Sequence, residues 1–220
     1  MRNDISLELA SRLTEQVKTA FENGSLLDAV PPVTQDLLKF WFMGPYTEER
    51  SKNFHEGQKQ SILNIIYLHE VLQVTTVEEI YRQVAPDLLA ECNLSDLAKE
   101  KYRIPKYAVK MATGTGKTWV MHALLLWQLL NARHEEQEER SGRYTQNFLI
   151  VAPGLIVYDR LKDAYCGRLK ENCTERDPFT NDLYLHKDLF IPPAYRDEVF
   201  SFIQNNVVTK EEGIGRKITG

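Results

Sequence analysis

One segment of this 220-residue chain, Met111-Ala-Thr-Gly-Thr-Gly-Lys-Thr118, has the make-up of a phosphate-holding loop. Gly114 and Gly116 let the backbone curl so that consecutive amide groups turn inward and hold phosphate oxygens. Thr113 and Thr115 are expected among the nucleotide-binding residues of the loop. A helix beginning at Lys117 would add the positive end of its dipole. In such a loop Lys117 reaches the β- and γ-phosphates of a nucleotide and the Thr118 hydroxyl ligates Mg²⁺. The strict pattern has a glycine five residues before Gly116, where this chain has Met111. A Gly-Thr turn with an incidental lysine would share these letters, so the flanking elements decide.

Those elements are the ones a phosphate loop needs. Tyr107-Ala-Val-Lys-Met111 is predicted as a short strand before the loop, and a strongly apolar helix is predicted from about Lys117 to Arg133. The run from His134 to Arg140, with Ser141-Gly142, reads as a helix end or connection. Phe148-Leu-Ile-Val-Ala152 is predicted as a second strand, apolar throughout and therefore buried on both faces. A helix from Leu155 to about Leu169 follows. This order predicts an α/β fold with a parallel sheet.

The first hundred residues read mostly as helix. Ile5, Leu7, Leu9, Leu13, Val17 and Phe21 form an imperfect helical stripe closed by Asn23-Gly24, and Pro31-Pro32 marks a break. Leu37, Leu38, Phe40, Trp41 and Phe42 are a dense apolar cluster, better suited to core packing than to stacking on bases. Apolar residues recur at helical spacing from Gln58 to Leu72. Thr76-Val-Glu-Glu79 is a capping box opening a short helix that must stop near Pro86.

Composition narrows the class. Hydrophobic residues are 43% and charged residues 26%, which excludes disordered and fibrous chains. No apolar stretch approaches the roughly 20 residues of a membrane span, and the start lacks a signal-peptide core. Cys92, Cys166 and Cys173 form no C-x-x-C pair, which suits a reducing cytosol and argues against zinc or iron–sulfur binding. A cytoplasmic location is expected, with no membrane partner. The net charge of −4 divides unevenly: residues 1–100 hold 16 acidic and 9 basic side chains, residues 101–220 hold 15 and 18. A mildly basic second half permits contact with a polyanion without requiring it. His55-Glu56 and His69-Glu70 lack the second histidine of a zinc helix, and no Gly-x-Ser-x-Gly elbow is present.

The form Ala-Thr-Gly-Thr-Gly-Lys-Thr resembles the phosphate loop of superfamily 2 helicases and translocases. In that superfamily a glutamine upstream of the loop recognises adenine. Phe54-His-Glu-Gly-Gln58 resembles this element, which implies Gln58 as adenine reader and Phe54 as a stacking neighbour. A primary amide can donate and accept together, as adenine requires. Read without the resemblance, Gln58 merely opens a helix and faces water. Phe148-Leu-Ile-Val-Ala-Pro-Gly-Leu155 resembles the motif that contacts the nucleic-acid backbone, which implies Pro153 and Gly154 near DNA, with Arg160 and Lys162 adding charge. These two cations serve equally well as exposed surface.

Taken in order, Trp41-Phe42, Asn53 to Gln58, Ile65 to Glu70, the phosphate loop and Val151 to Leu161 resemble the amino-terminal part of the type III restriction enzyme Res subunit; Val207 to Arg216 adds to the likeness. The resemblance implies a RecA-like first motor domain over residues 51–220, incomplete, preceded by a helical segment over residues 1–50. It implies ATP and Mg²⁺ as cofactors, double-stranded DNA and a modification methyltransferase subunit as partners, and Lys117 as the catalytic lysine. Such motors also need an acidic pair after a buried strand. Asp197-Glu198 follows Ile191-Pro-Pro, which excludes a central strand, and reads as surface charge. The 220 residues are therefore expected to bind ATP without sustaining its hydrolysis. A P-loop kinase of a small metabolite, or a non-catalytic nucleotide-binding fragment, are the alternatives.

Overall fold

The computed structural model describes residues 5–91, 99–100, 106–112, 114–134 and 142–210. Cys92, Thr113, residues 135–141 of the connection after His134, and the end of the Val207 to Arg216 stretch lie outside the described residues. In chain order the helices are α1 (Ile5–Glu22), α2 (Ser25–Ala29), α3 (Pro32–Phe42), α4 (Tyr46–Glu49), α5 (Glu56–Ile66), α6 (Val77–Val84), α7 (Pro86–Leu89), α8 (Lys117–His134), α9 (Leu155–Cys166), α10 (Asp182–Leu185), α11 (Lys187–Phe190) and α12 (Arg196–Asn206). Two short strands are described, β1 (Arg168–Leu169) and β2 (Arg176–Asp177). The chain divides into two compact units, Met1–Phe42 with Phe54–Leu124, and Met43–Asn53 with Leu125–Gly220. The division falls inside α8.

In the first unit, α1 buries Leu13, Val17 and Ala20 on one face and ends at Gly24, whose φ of +85° suits glycine. After the Pro31-Pro32 break, α3 buries Leu37, Leu38, Phe40 and Trp41. The aromatic cluster is core, as its composition implied. Trp41 meets Phe42 and Phe54 edge-on at ring distances of 6.0 and 6.2 Å. Helix α5 buries Ile62, Leu63, Ile65 and Ile66, then widens into a π-helical turn over Tyr67–Val71. There the buried Glu70 accepts a 2.7 Å hydrogen bond from the Thr34 hydroxyl. The Thr76 capping box forms as its spacing predicts. Glu79 N donates to Thr76 Oγ1 at 3.2 Å, and Thr76 N donates to Glu79 Oε2 at 3.1 Å.

The second unit packs Leu126, Leu129 and Leu130 of α8, Tyr165 of α9, Leu183, Phe190, Ile191 and Val199, all of them buried. Helix α9 stops at Cys166, short of the predicted Leu169, because Gly167 turns the chain with φ +81°. A Cβ there would lie 1.8 Å from the Asp177 carbonyl oxygen, so only glycine fits. Strands β1 and β2 then pair antiparallel, Arg168 opposite Asp177.

The predicted parallel sheet is not seen. Among the described residues the sheet is the β1–β2 hairpin alone. Tyr107–Met111 and Phe148–Ala152 carry no regular secondary structure. Nor is the second segment buried, for Leu149 is 90% and Val151 77% exposed. The reason is physical. A parallel strand is completed by neighbours that come from distant parts of a chain, and among the described residues none pairs with either segment.

Candidate phosphate-binding site

Helix α5 begins with a second capping box, one that its sequence did not advertise. His55 sits in extended conformation as N-cap, and its Nδ1 accepts the Gln58 N–H at 3.3 Å. In return His55 N donates to Gln58 Oε1 at 3.0 Å. This exchange satisfies two of the amide groups left over at a helix start and fixes the Gln58 side chain. Gln58 is 3% exposed. Its Nε2 donates to the backbone carbonyls of Thr115 at 3.1 Å and Gly116 at 3.3 Å. His55 reaches the same Thr115 oxygen through Nε2 at 2.9 Å. Two side chains of α5 thus clamp the loop.

The loop itself adopts the conformation its glycines permit. Gly114 has φ +82° and Gly116 φ +72°. A Cβ on Gly114 would meet nothing within 4 Å, whereas one on Gly116 would lie 2.4 Å from Gln58 Nε2. The Ala112 carbonyl gathers three donors, the Thr115 amide at 3.4 Å, the Thr115 hydroxyl at 2.7 Å and Lys117 Nζ at 2.8 Å. Helix α8 starts immediately, with Trp119 N donating to Gly116 O at 2.9 Å. Lys117 is exposed and Thr118 half-buried. The Gly116 N–H has no acceptor among the described residues.

Of the residues expected at a nucleotide site, the first unit brings together Gln58, Gly114, Thr115, Gly116, Lys117 and Thr118. Phe54 borders them, its half-buried ring edge-on to Trp41, Phe42 and Trp119 at 6.2, 5.6 and 6.4 Å. Gln58 neither faces water nor points free into a pocket; its amide hydrogens are committed to the loop. Pro153, Gly154 and Arg160 belong to the second unit, where all three are exposed. Gly154 is extended, with φ −174°, and precedes α9 without a side-chain cap. Lys162 Nζ lies 4.8 Å from the Tyr158 ring centre and 3.8 Å from Asp159.

Two residues escaped the sequence reading. His55 has no zinc-ligand spacing, and its signal is its place three residues before a glutamine at a helix start. Glu198 is more than surface charge. Within the second unit it pairs with Arg133 and, at 2.8 Å, with His134 Nε2 at the end of α8. Burial works to raise the Glu198 carboxyl, but the His134 and Arg133 hydrogen bonds outweigh it and hold it below the ordinary value. Asp197 beside it is exposed.

A glycine loop opening a helix and clamped from behind by a buried glutamine defines a phosphate-loop class of candidate. The family described as "Type III restriction enzyme, res subunit" matches over residues 51–191, and the chain belongs to that family. Membership implies a RecA-like P-loop fold in an enzyme family of helicase-like, ATP-dependent motors that act on DNA. No curated protein and no solved structure matches the chain. Among the described residues no helix is long and apolar enough to cross a membrane.

Proposed function

We propose that this chain is the ATP-binding portion of an ATP-dependent DNA translocase of a type III restriction endonuclease, acting in the cytoplasm. The observation that carries the proposal is the Gly114–Thr118 loop, clamped by Gln58 and lying inside the family match. The residues suit a triphosphate with Mg²⁺. The mouth of the loop is open at Gly114, the Gly116 N–H has no acceptor among the described residues, and Lys117 is exposed. Lys117 would exchange its contact with the Ala112 carbonyl for phosphate oxygens. Thr113 and Thr115 would line the loop, and the Thr118 hydroxyl would ligate Mg²⁺. Bound ATP would supply the phosphoanhydride whose hydrolysis drives such a motor.

In this proposal Gln58 also reads adenine, with Phe54 beside it. The amide keeps one acceptor lone pair on Oε1, and Nε2 would release one loop carbonyl to donate to the base. DNA would be held through its backbone at Pro153, Gly154 and Arg160, with the salt dependence that phosphate contacts bring. The proposal divides the chain at about residue 50, with a helical segment before the motor domain; the family match beginning at 51 supports this. A modification methyltransferase subunit is the proposed partner. For the 220 residues alone, binding is the expected activity and sustained hydrolysis is not.

Equilibrium binding of ATP and GTP with Mg²⁺, to the wild-type chain and to Gln58→Ala, tests the proposal. A preference for ATP that the variant loses supports it. Equal affinity for both nucleotides removes the adenine reader, and no binding by a folded chain removes the nucleotide site.

A further inference from the structure

The capping box at α5 does more than start a helix. In a planar trans peptide the C=O and N–H point in opposite directions. Gln58 Nε2 and His55 Nε2 both hold the Thr115 carbonyl on the α5 side of the loop. The N–H of the same peptide unit, carried by Gly116, is therefore aimed away from α5, and it is the N–H that finds no acceptor among the described residues. The His55 ring can serve both its partners in one form only. Nδ1 accepts from Gln58 N, so the proton sits on Nε2 and is donated to Thr115 O.

We propose that His55 is a positioning residue for the phosphate loop: its Nε2–H, acting with Gln58, pins the Thr115 carbonyl outward and so presents the Gly116 amide to an incoming phosphate. This inference rests on the nucleotide-site reading and names the device that preorganises it. Preorganised amides hold an anion without first having to turn toward it.

Two substitutions separate the cap from the latch. His55→Asn keeps an acceptor at the N-cap, where asparagine is favoured, but is too short to reach Thr115. His55→Gln keeps a donor at about the Nε2 position and weakens the cap. Three readouts are made on the full chain: the ¹⁵N shifts of the His55 imidazole at pH 8, hydrogen exchange at the Gly116 amide, and Mg·ADP affinity. The expected result is the Nε2–H tautomer in the wild type. The Asn variant should melt like the wild type, with an altered Gly116 amide and ADP binding weaker by about 3- to 10-fold, the worth of one hydrogen bond between neutral groups. The Gln variant should recover most of that affinity. An Nδ1–H tautomer, or an Asn variant with wild-type ADP affinity and an unchanged Gly116 amide, would overturn the latch and leave His55 a helix cap. A wild-type chain that binds no nucleotide overturns the nucleotide-site reading instead, and the tautomer and the Gly116 amide then still decide the latch.

Discussion

Two stretches of this chain share one local pattern: an apolar run, a glycine-containing turn and a helix. At Tyr107 to Lys117 the turn is held by hydrogen bonds from His55 and Gln58, side chains about 60 residues away in sequence. At Phe148 to Leu155 no such hydrogen bonds from distant side chains occur among the described residues. Gly154 would meet no atom within 4 Å if given a Cβ, and Leu155 and Ile156 are 80% and 74% exposed. The contrast teaches that a loop's shape is set by what closes on it from elsewhere. Glycine alone permits a conformation; a partner selects it.

The two glycines offer the widest separation between the stretches. Gly116→Ala places a methyl group 2.4 Å from Gln58 Nε2, at a φ of +72° that alanine adopts at a cost. Urea unfolding should show a loss of about 2 kcal/mol, and Mg·ATP binding should disappear. A variant that melts and binds like the wild type would mean that α5 does not close on the loop. Next in size, Lys117→Ala should leave the unfolding midpoint in place, since the side chain is exposed, while weakening Mg·ATP at least tenfold. Unaltered affinity would remove Lys117 from the site.

One long-range tie of the second unit is at Glu198, and it answers to pH. Its folded-state pKa is lowered, so its contribution is complete above the ordinary carboxylate value and is lost as pH falls through the lower folded value. Comparing Glu198→Gln with the wild type in urea, the gap should be about 1 kcal/mol at pH 6 and should shrink as pH falls below the ordinary carboxylate range. A gap that persists in acid would assign the effect to packing. Smallest of all, Gly154→Ala and Leu149→Ser should each shift the unfolding midpoint by less than about 0.5 kcal/mol, because neither site has a close neighbour to disturb. A larger loss at Leu149 would show that the apolar run is buried in solution.

The elements legible from the letters were those governed by neighbours along the chain. The stop at Asn23-Gly24, the break at Pro31-Pro32, the Thr76–Glu79 box and the apolar faces of α3 and α5 all form where side-chain spacing placed them. The glycine turn opening α8 belongs with them in part, since Gly114 and Gly116 permit the curl at positive φ, although His55 and Gln58 select it. The misread elements depend on distant partners. The apolar residues of Phe148–Ala152 predict a buried strand, yet burial on both faces requires flanking layers that periodicity cannot supply. Glu198 looked like surface charge because Arg133 and His134 lie far off in sequence.

Gln58 belongs to both classes. The resemblance to the helicase element upstream of the loop singles it out, and the family match agrees with the class of protein that resemblance implies. What local chemistry could not assign was the use of its amide. Backbone carbonyls are present at every residue, so no pattern of letters marks the two that Gln58 takes, or the one it shares with His55. That choice was made when α5 and the loop packed together, because a buried amide must find partners and the Thr115 and Gly116 carbonyls lie within its reach.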